Sequence, residues 1–370
     1  MRAIALIASG LEAPAKAELE GFGCQLLGLT KARVSSLLEF ELDSDHTLAR
    51  VCYLGRSFER VFALLKRFEF GSKEELLEGL CLDLGQLLRN RPFALRVLDL
   101  DKLSAAPRQV LEAEAGAKII AASSPRPSVN LSSPTVRLTL ILAAGHALLG
   151  VDWSGFELSR RPYKLFGHPA SLRGSIAYGL LSLSGWSPGQ SLAVPLCGSG
   201  ELAIEAALSA CAISPNKLNT KRFIFNQLVE FDFGAVDAQA KLDARTAIWA
   251  VDPDSIAIRA AKANANAAGV VKKISWIVAP LDRLELELGE RSIDHIVASL
   301  AYSRAIEATF AELFYQARLL LSDQGRLTLL TIAPQLAKEA AIRAGFSCVA
   351  EQKLALGEQF RQALSFRQIL

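Results

Sequence analysis

The amino-acid sequence predicts an α/β protein whose C-terminal half is a doubly wound, Rossmann-like domain built on a mostly parallel sheet. From about Ser187 onward, short apolar runs of strand length alternate with helical stretches. A glycine turn, Cys197-Gly198-Ser199-Gly200, separates the first of these strands from the first helix. Asp252 follows the second strand, and doubly wound sheets bind ligands at such strand ends. These three observations fix the predicted fold class.

Upstream of this domain, the apolar pattern predicts two small α+β units. Residues 1–65 alternate short strands with a helix. Residues 66–155 combine an amphipathic segment, strands and the helix Ala106–Ser123, which is followed by a Pro-rich loop that cannot be helical. Residues 156–186 form a linker with its own helix, and Pro188-Gly189 marks the start of the third domain, residues 187–370.

Strict alternation of strands and helices in residues 187–370 predicts a parallel sheet covered on both faces. The chain then closes with two strands that have no helix between them, near Phe346–Glu351 and Leu364–Leu370. The preceding predicted strands are Leu192–Pro195, Thr246–Val251, Lys273–Val278, Ile293–Ser299 and Gly325–Ile332.

Composition excludes several classes of protein. The formal net charge of +3 over 370 residues is too small to indicate a polyanion partner, so any nucleic-acid surface must be local. No apolar run is long enough to span a bilayer, so we expect no membrane partner. The six cysteines and four histidines are dispersed, without zinc spacing or a disulfide pattern. We therefore expect no metal, reduced thiols and a cytoplasmic location.

The glycine turn admits two cofactor classes. Gly198-Ser199-Gly200 also fits the dinucleotide fingerprint, which would indicate a nicotinamide oxidoreductase. Three features argue against that class. Glu201 would oppose a pyrophosphate, Asp252 follows about fifty residues later instead of roughly twenty, and the insertion Ser214–Asp243 lies between them. S-adenosylmethionine, which has no phosphate and carries a cationic sulfonium, tolerates this glutamate.

Asp252 has two interpretations. Its carboxylate is placed to accept hydrogen bonds from ribose hydroxyls of the cofactor. Alternatively, Asp252 or Asp254 caps the helix that follows, since Asp-Pro-Asp before an apolar helix is a good N-terminal cap. Both roles can coexist.

Several motifs along nearly the whole chain carry a family resemblance. The segments are Pro195–Gly200 with Ile204–Ala207, Asp252–Asp254 with Ala261–Ala265 and Ala268–Val270, Arg161–Tyr163 with Leu172-Arg173, and upstream Phe93–Arg96, Arg126-Pro127 and Leu149–Trp153. In this combination and order the chain resembles the THUMP-domain RNA methyltransferases that make N2-methylguanosine in tRNA or large-subunit ribosomal RNA.

The resemblance implies a function for each domain. Residues 1–65 would be a ferredoxin-like domain, residues 66–155 a THUMP domain that grips RNA, and residues 187–370 a class I methyltransferase domain. The implied cofactor is S-adenosylmethionine, held by Pro195, Cys197, Gly198, Ser199, Gly200, Asp252 and Asp282. Candidate RNA phosphate contacts are Arg91, Arg96, Arg126, Arg137, Arg160, Arg161 and Lys164.

The sequence departs from the family at positions that carry chemistry. Val194 stands where the family has an acid, and Pro280 stands at a second acidic position, which leaves Asp282 as a relocated substitute. The catalytic N/D-P-P-Y tetrapeptide is replaced by Ser299-Leu300-Ala301-Tyr302. Ser299 can still accept a hydrogen bond from a base amine and Tyr302 can still stack on the base, but no proline preorganises the turn.

These departures leave two main interpretations. In the first, the chain is an RNA-binding protein with a catalytically degenerate methyltransferase domain that acts beside a protein partner. In the second, it is an active RNA guanine-N2 methyltransferase in which Ser299 and Tyr302 are catalytic.

Overall fold

The structure, a computed structural model, describes residues 1–104, 106–169, 171–300 and 303–369. The chain divides into two compact units. The first unit comprises Met1–Leu158 and Asn219–Asp232, and the second comprises Ser159–Leu218 and Phe233–Leu370. Each unit contains one seven-stranded sheet.

Among its described residues, the first unit combines a seven-stranded sheet with four α-helices. The strands are β1 (Arg2–Ala8), β2 (Gln25–Lys31), β3 (Ser35–Glu41), β4 (Arg60–Glu69), β5 (Phe93–Asp99), β6 (Val136–Ala143) and β7 (His146–Asp152). The helices are α1 (Glu12–Gly21), α2 (Asp45–Leu54), α3 (Lys73–Gly79) and α4 (Arg108–Ala122). The strand order is β2-β3-β1-β4-β7-β6-β5. The first four strands with α1 and α2 follow the predicted ferredoxin-like order β-α-β-β-α-β.

One sheet spans the boundary predicted near residue 65. β4 pairs antiparallel with β7 from Phe62 opposite Asp152 to Glu69 opposite His146, so the two predicted N-terminal units share a continuous sheet. The charged residues at 66 and 67 interrupt the apolar run of β4, which is why the predicted domain boundary fell inside this strand.

The aromatic residues of the insertion belong to the first unit. Residues 219–232 lie inside the domain predicted as 187–370, but they pack with residues of the first unit. The rings of Phe223 and Phe225 stack with centroids 4.7 Å apart. Phe223 meets Tyr53 edge-on at 6.1 Å, and Phe225 stacks on Trp153 at 6.1 Å. The predicted third domain, residues 187–370, therefore contains an insertion whose residues 219–232 belong to the first unit.

The second unit has the doubly wound architecture predicted from the alternating pattern. Its strands are β8 (Leu192–Pro195), β9 (Ile248–Asp252), β10 (Ser275–Val278), β11 (Ile293–Ser299), β12 (Leu321–Thr331), β13 (Phe346–Leu356) and β14 (Gln359–Gln368). Its helices are α5 (Gly174–Ser184), α6 (Glu201–Ala210), α7 (Phe233–Asp237), α8 (Ser255–Ala267), α9 (Leu284–Leu288), α10 (Ile306–Leu320) and α11 (Pro334–Arg343).

The sheet order of the second unit places its switch point at β8. The order is β10-β9-β8-β11-β12-β14-β13. The first five strands in this order pair in parallel, and β14 pairs antiparallel with both β12 and β13. β8 lies between β9 and β11, so the chain direction across the sheet reverses there and the strand ends form a crevice. Phe310, Phe314, Phe346 and Phe366 are fully buried in the core beside this sheet.

Within residues 1–104, 106–169, 171–300 and 303–369, every helix is too short or too polar to form a bilayer span.

Candidate functional site

The glycine turn lies at the carboxyl end of β8. Gly198 and Gly200 have φ angles of +54° and +88°, a region that residues with a side chain rarely adopt. A Cβ atom on Gly200 would lie 2.9 Å from the Cβ of Ala261 on α8. Leu196, which is not glycine, also has a positive φ of +53°. Such backbone strain persists where the surroundings enforce it, and it is concentrated at functional sites.

Asp252, the last residue of β9, holds this turn from the neighbouring strand. Its Oδ2 accepts a hydrogen bond of 2.9 Å from the Gly198 amide, and its Oδ1 accepts one of 2.9 Å from the Asp254 amide. Asp254 caps α8 by accepting a 2.7 Å hydrogen bond from the Ile256 amide. The capping role therefore belongs to Asp254, and Asp252 remains the predicted ribose ligand.

Asn264 on α8 fastens a second loop to the glycine turn. Its Oδ1 accepts 2.9 Å hydrogen bonds from the amides of Leu165 and Phe166. Its Nδ2 donates to the carbonyls of Phe166 at 2.9 Å and Ser199 at 3.0 Å. The side chain is fully buried, and these four hydrogen bonds satisfy its amide completely. The loop and the turn are thus held in one geometry by one residue.

Ser199 completes this arrangement. Its hydroxyl lies 2.6 Å from the Ser171 hydroxyl and donates a 2.8 Å hydrogen bond to Glu201. The Glu201 carboxylate also pairs with the Lys164 ammonium at 2.9 Å. The charge expected to oppose a pyrophosphate is therefore neutralised and buried within the protein.

Arg161 has a structural role. Its Nε lies 2.8 Å from Oε1 of Glu205, and both side chains are buried. The Tyr163 hydroxyl donates a 2.9 Å hydrogen bond to the same carboxylate oxygen. Burial, together with this carboxylate, raises the pKa of the Tyr163 phenol well above its usual value, so it stays a donor. The prediction that Arg161 contacts phosphate is wrong, because its guanidinium compensates a buried carboxylate.

Lys164 needs a similar correction. Besides Glu201, its Nζ donates a 3.0 Å hydrogen bond to the Leu172 carbonyl, and only about a quarter of the side chain is exposed. Its ammonium is therefore engaged in fixing the loop, which removes the argument for it as a phosphate contact. Arg160 in the same loop is exposed and stays a prediction.

Ser299 is the last residue of β11, which neighbours β8 in the sheet. Its Oγ is buried and has no hydrogen-bond partner within the described residues. A buried hydroxyl without a partner is costly, which makes this atom a candidate ligand contact. Tyr302, the other predicted catalytic residue, lies outside the described residues.

The remaining predicted cofactor residues differ in exposure. Pro195 and Cys197 are buried at the end of β8, and the Cys197 amide donates a 3.1 Å hydrogen bond to the Val251 carbonyl. Burial, with a contribution from Asp252, raises the pKa of the Cys197 thiol, which is therefore neutral. Asp282 is exposed on a short 3₁₀ helix after β10, and its cofactor role stays a prediction.

The other predicted phosphate contacts lie in the first unit. Arg126 is exposed and Arg91 is half-buried. Arg96 and Arg137 line a common cavity, where Arg137 also donates to the Gly155 carbonyl. The structure thus brings two of these arginines together, and their binding of RNA stays a prediction.

The strand order of the second unit, the glycine turn after β8 and the acid after β9 define the class I methyltransferase fold. The chain belongs to the UPF0020 family, described as "RMKL-like, methyltransferase domain", which matches residues 161–360. This membership confirms the predicted resemblance, the fold class and the S-adenosylmethionine-dependent type of domain.

Individual relatives extend the similarity beyond the matched domain. A tRNA (guanine(6)-N2)-methyltransferase of Methanocaldococcus jannaschii is 26% identical over 376 residues, covering 95% of this chain and 96% of that protein. The ribosomal RNA large subunit methyltransferase K/L of Photobacterium profundum is 29% identical over 293 residues, covering 74% of this chain and 40% of that protein. The crystal structure of SMU.472, determined in complex with SAH, has a TM-score of 0.80 at 20% identity, covering 100% of this chain and 98% of that one.

Sequence reasoning missed the functions of several residues at the site. Asn264 stood inside a recognised motif without a role, although a lone Asn on the buried face of a helix is a usable signal. Arg60 of the cavity gave no local signal, because its partner Asp152 is 92 residues away. Arg108 and Glu112 stand four residues apart on one helix, a local signal that was not used.

Proposed function

We propose that this chain is an S-adenosylmethionine-dependent RNA methyltransferase that acts on the N2 amine of guanine in tRNA. The observation that carries the proposal is the glycine turn, whose amide at Gly198 is held by Asp252 and whose carbonyl at Ser199 is held by Asn264. The near full-length similarity to a tRNA (guanine(6)-N2)-methyltransferase supports tRNA as the substrate. The similarity to methyltransferase K/L makes ribosomal RNA the alternative substrate.

The residues of the turn fit this cofactor. Gly198 and Gly200 allow the tight turn because each has a positive φ and no side chain, and the buried Asp252 carboxylate can accept further hydrogen bonds from ribose hydroxyls. Glu201 is already neutralised by Lys164, so its charge does not distinguish this cofactor from a ligand with phosphate groups. When bound, S-adenosylmethionine supplies a methyl group on a positively charged sulfonium.

The base amine would be positioned by this chain's own residues. Ser299 stands at the carboxyl end of β11, on the same side of the sheet as the glycine turn. Its Oγ, which has no partner in the part of the chain that the structure describes, can accept a hydrogen bond from one N–H of the guanine amine, which would orient the nitrogen lone pair. We propose that Tyr302 stacks on the flipped base.

RNA capture is proposed for the first unit. Residues 66–155 would form the THUMP domain, with exposed Arg126 and half-buried Arg91 as phosphate contacts. Arg160 would add a contact from the linker. Each such contact makes binding depend on salt concentration.

A second candidate function is RNA binding without catalysis, in which a protein partner supplies the missing chemistry. It is favoured by the segment that replaces the catalytic tetrapeptide. Leu300 is buried and its amide donates a 2.9 Å hydrogen bond to the Leu330 carbonyl, so this position serves the core. Val194, where the family has an acid, is also buried.

Two measurements separate these candidates. Isothermal titration should show that the protein binds S-adenosylhomocysteine and that Asp252→Ala weakens this binding by at least tenfold. Transfer of a tritiated methyl group to an unmodified tRNA transcript should fall about tenfold or more in Ser299→Ala. Ser347→Ala, an exposed serine on β13, is the matched control and should retain full activity.

Absence of cofactor binding at millimolar concentration would end the methyltransferase proposal. Cofactor binding without methyl transfer to tRNA or ribosomal RNA would favour the second candidate.

A further inference from the structure

The first unit contains a cavity of about 340 Å³ that is lined by four arginines. We call it the arginine cavity, and its polar lining residues are Arg60, Arg96, Arg108, Arg137, Glu112 and Thr139. It lies wholly within the first unit and shares no residue with the glycine turn. Two of the arginines were predicted singly as phosphate contacts, but their convergence in one cavity was not foreseen.

Strand register explains this convergence. Arg96 on β5 stands opposite Thr139 on β6, so the two side chains point to the same face of the sheet. Arg137 lies two residues before Thr139 and therefore shares that face. On β4, Arg60 is two residues before Phe62, which stands opposite Asp152 on β7. Three arginines from three strands thus project from one face.

A buried carboxylate fixes two of these arginines. Asp152 is fully buried, and its Oδ2 lies 2.9 Å from Nη1 of Arg60 and 3.7 Å from Nη1 of Arg137. Its Oδ1 accepts 2.8 Å hydrogen bonds from the Ser154 hydroxyl and the Gly155 amide. Both oxygens of Asp152 therefore have partners, and the carboxylate holds the guanidinium groups of Arg60 and Arg137 in place. More than a quarter of each arginine side chain stays exposed.

A second carboxylate fixes the other two. Glu112 on α4 lies 3.2 Å from Nη1 of Arg96 and 3.5 Å from Nε of Arg108. Its Oε1 also accepts a 3.0 Å hydrogen bond from the Val97 amide. Its side chain is 10% exposed, whereas those of Arg96 and Arg108 are 45% and 66% exposed. The Glu112 carboxylate is therefore largely buried, whereas the two guanidinium groups face solvent.

We propose that the arginine cavity binds a phosphate group. Four guanidinium charges against the two carboxylates leave a local charge of +2, which suits one phosphate monoester or two diesters. Each guanidinium has five N–H donors, and its carboxylate contacts use only part of them. The phosphate has two sources, the backbone of RNA and a small phosphate ion. The RNA source rests on the proposed function.

The first test removes the two exposed arginines together. Binding of an unmodified tRNA transcript to Arg96→Gln/Arg108→Gln should weaken about tenfold, and the slope of log affinity against log salt should flatten by about one. Arg2→Gln/Arg67→Gln is the matched control, because it also removes two charges from the same unit, from side chains that are 64% and 36% exposed and that both pair with Glu39. An equal loss in this control would overturn the proposal, since it would reflect general charge alone.

The second test is a gain of affinity, which a folding defect does not produce. Glu112→Gln keeps an oxygen for the Val97 amide but removes one negative charge from the cavity. Its affinity for phosphate or for the transcript should rise about fivefold at low salt. Unchanged or weaker affinity for both ligands would overturn the proposal.

Isothermal titration with inorganic phosphate separates the two sources. If Arg96→Gln/Arg108→Gln weakens binding of the transcript, the phosphate belongs to RNA. If it weakens binding of inorganic phosphate alone, the site serves a small phosphate ion. If it changes neither affinity, the cavity is not a phosphate site. All these variants should bind S-adenosylhomocysteine with the affinity of the unchanged protein. Cofactor binding therefore tests the proposed function, and phosphate or RNA binding tests this inference separately.

Discussion

Asn264→Ala should loosen the second unit at one defined place. The substitution deletes two hydrogen bonds to Oδ1 and two from Nδ2, which connect the Leu165–Phe166 loop to Ser199. At about 1 kcal/mol per neutral hydrogen bond the upper limit is about 4 kcal/mol. Water can replace the hydrogen bonds lost by the backbone of Leu165 and Phe166, because both residues are exposed. We therefore expect a loss of about 2–3 kcal/mol.

Thermal unfolding and ligand titration measure this effect. For a unit of this size a loss of about 2–3 kcal/mol lowers the melting temperature by about 5–10 °C. Affinity for S-adenosylhomocysteine should fall about tenfold, because the Ser199 carbonyl loses the partner that fixes the turn. Asn266→Ala is the control, since Asn266 lies two residues further along α8 and is exposed. Equal melting temperatures for the two variants would refute the role assigned to Asn264.

Three further predictions concern the second unit. Gly200→Ala should weaken S-adenosylhomocysteine binding more than Gly189→Ala, measured by titration, because both have positive φ but only Gly200 has a neighbour within 3 Å of the added Cβ. Glu205→Gln should lower the free energy of unfolding by about 3–5 kcal/mol in urea, since it leaves Arg161 buried without its carboxylate. Burial, with Arg326 nearby, lowers the pKa of His295 to about 4 from an ordinary 6.5. The unfolded chain therefore binds the extra proton between these values, so stability is lost as pH falls from 6.5 towards 4, and a His295→Gln variant should lose less over that range.

The glycine turn was predictable because its determinants are local. Two glycines, a preceding strand and a following helix lie within ten residues, and a positive φ at such a turn favours glycine. The succession of strands and helices along the second unit followed from the regular alternation of apolar runs. Asp254 as a cap was likewise readable from its position before α8.

Contacts between residues distant in the chain were not predictable in this way. Arg161 was predicted as a phosphate contact, because its buried partner Glu205 is 44 residues away and gives no local signal. Asn264 bonds to residues 98 and 99 positions earlier, and no local pattern indicates that pairing. The arginine cavity required the sheet order β4-β7-β6-β5, which apolar periodicity does not specify.

The packing of residues 219–232 in the first unit has a consequence for folding during synthesis and for the behaviour of truncated fragments. A fragment that stops at Leu158 contains every strand of the first sheet but lacks Phe223 and Phe225, so the surface around Tyr53 and Trp153 would be bare. During translation that apolar surface stays uncovered until about seventy more residues have left the ribosome. Limited proteolysis after Leu158, or truncation there, should therefore yield an N-terminal fragment that aggregates. A synthetic peptide of residues 219–232 should keep this fragment soluble.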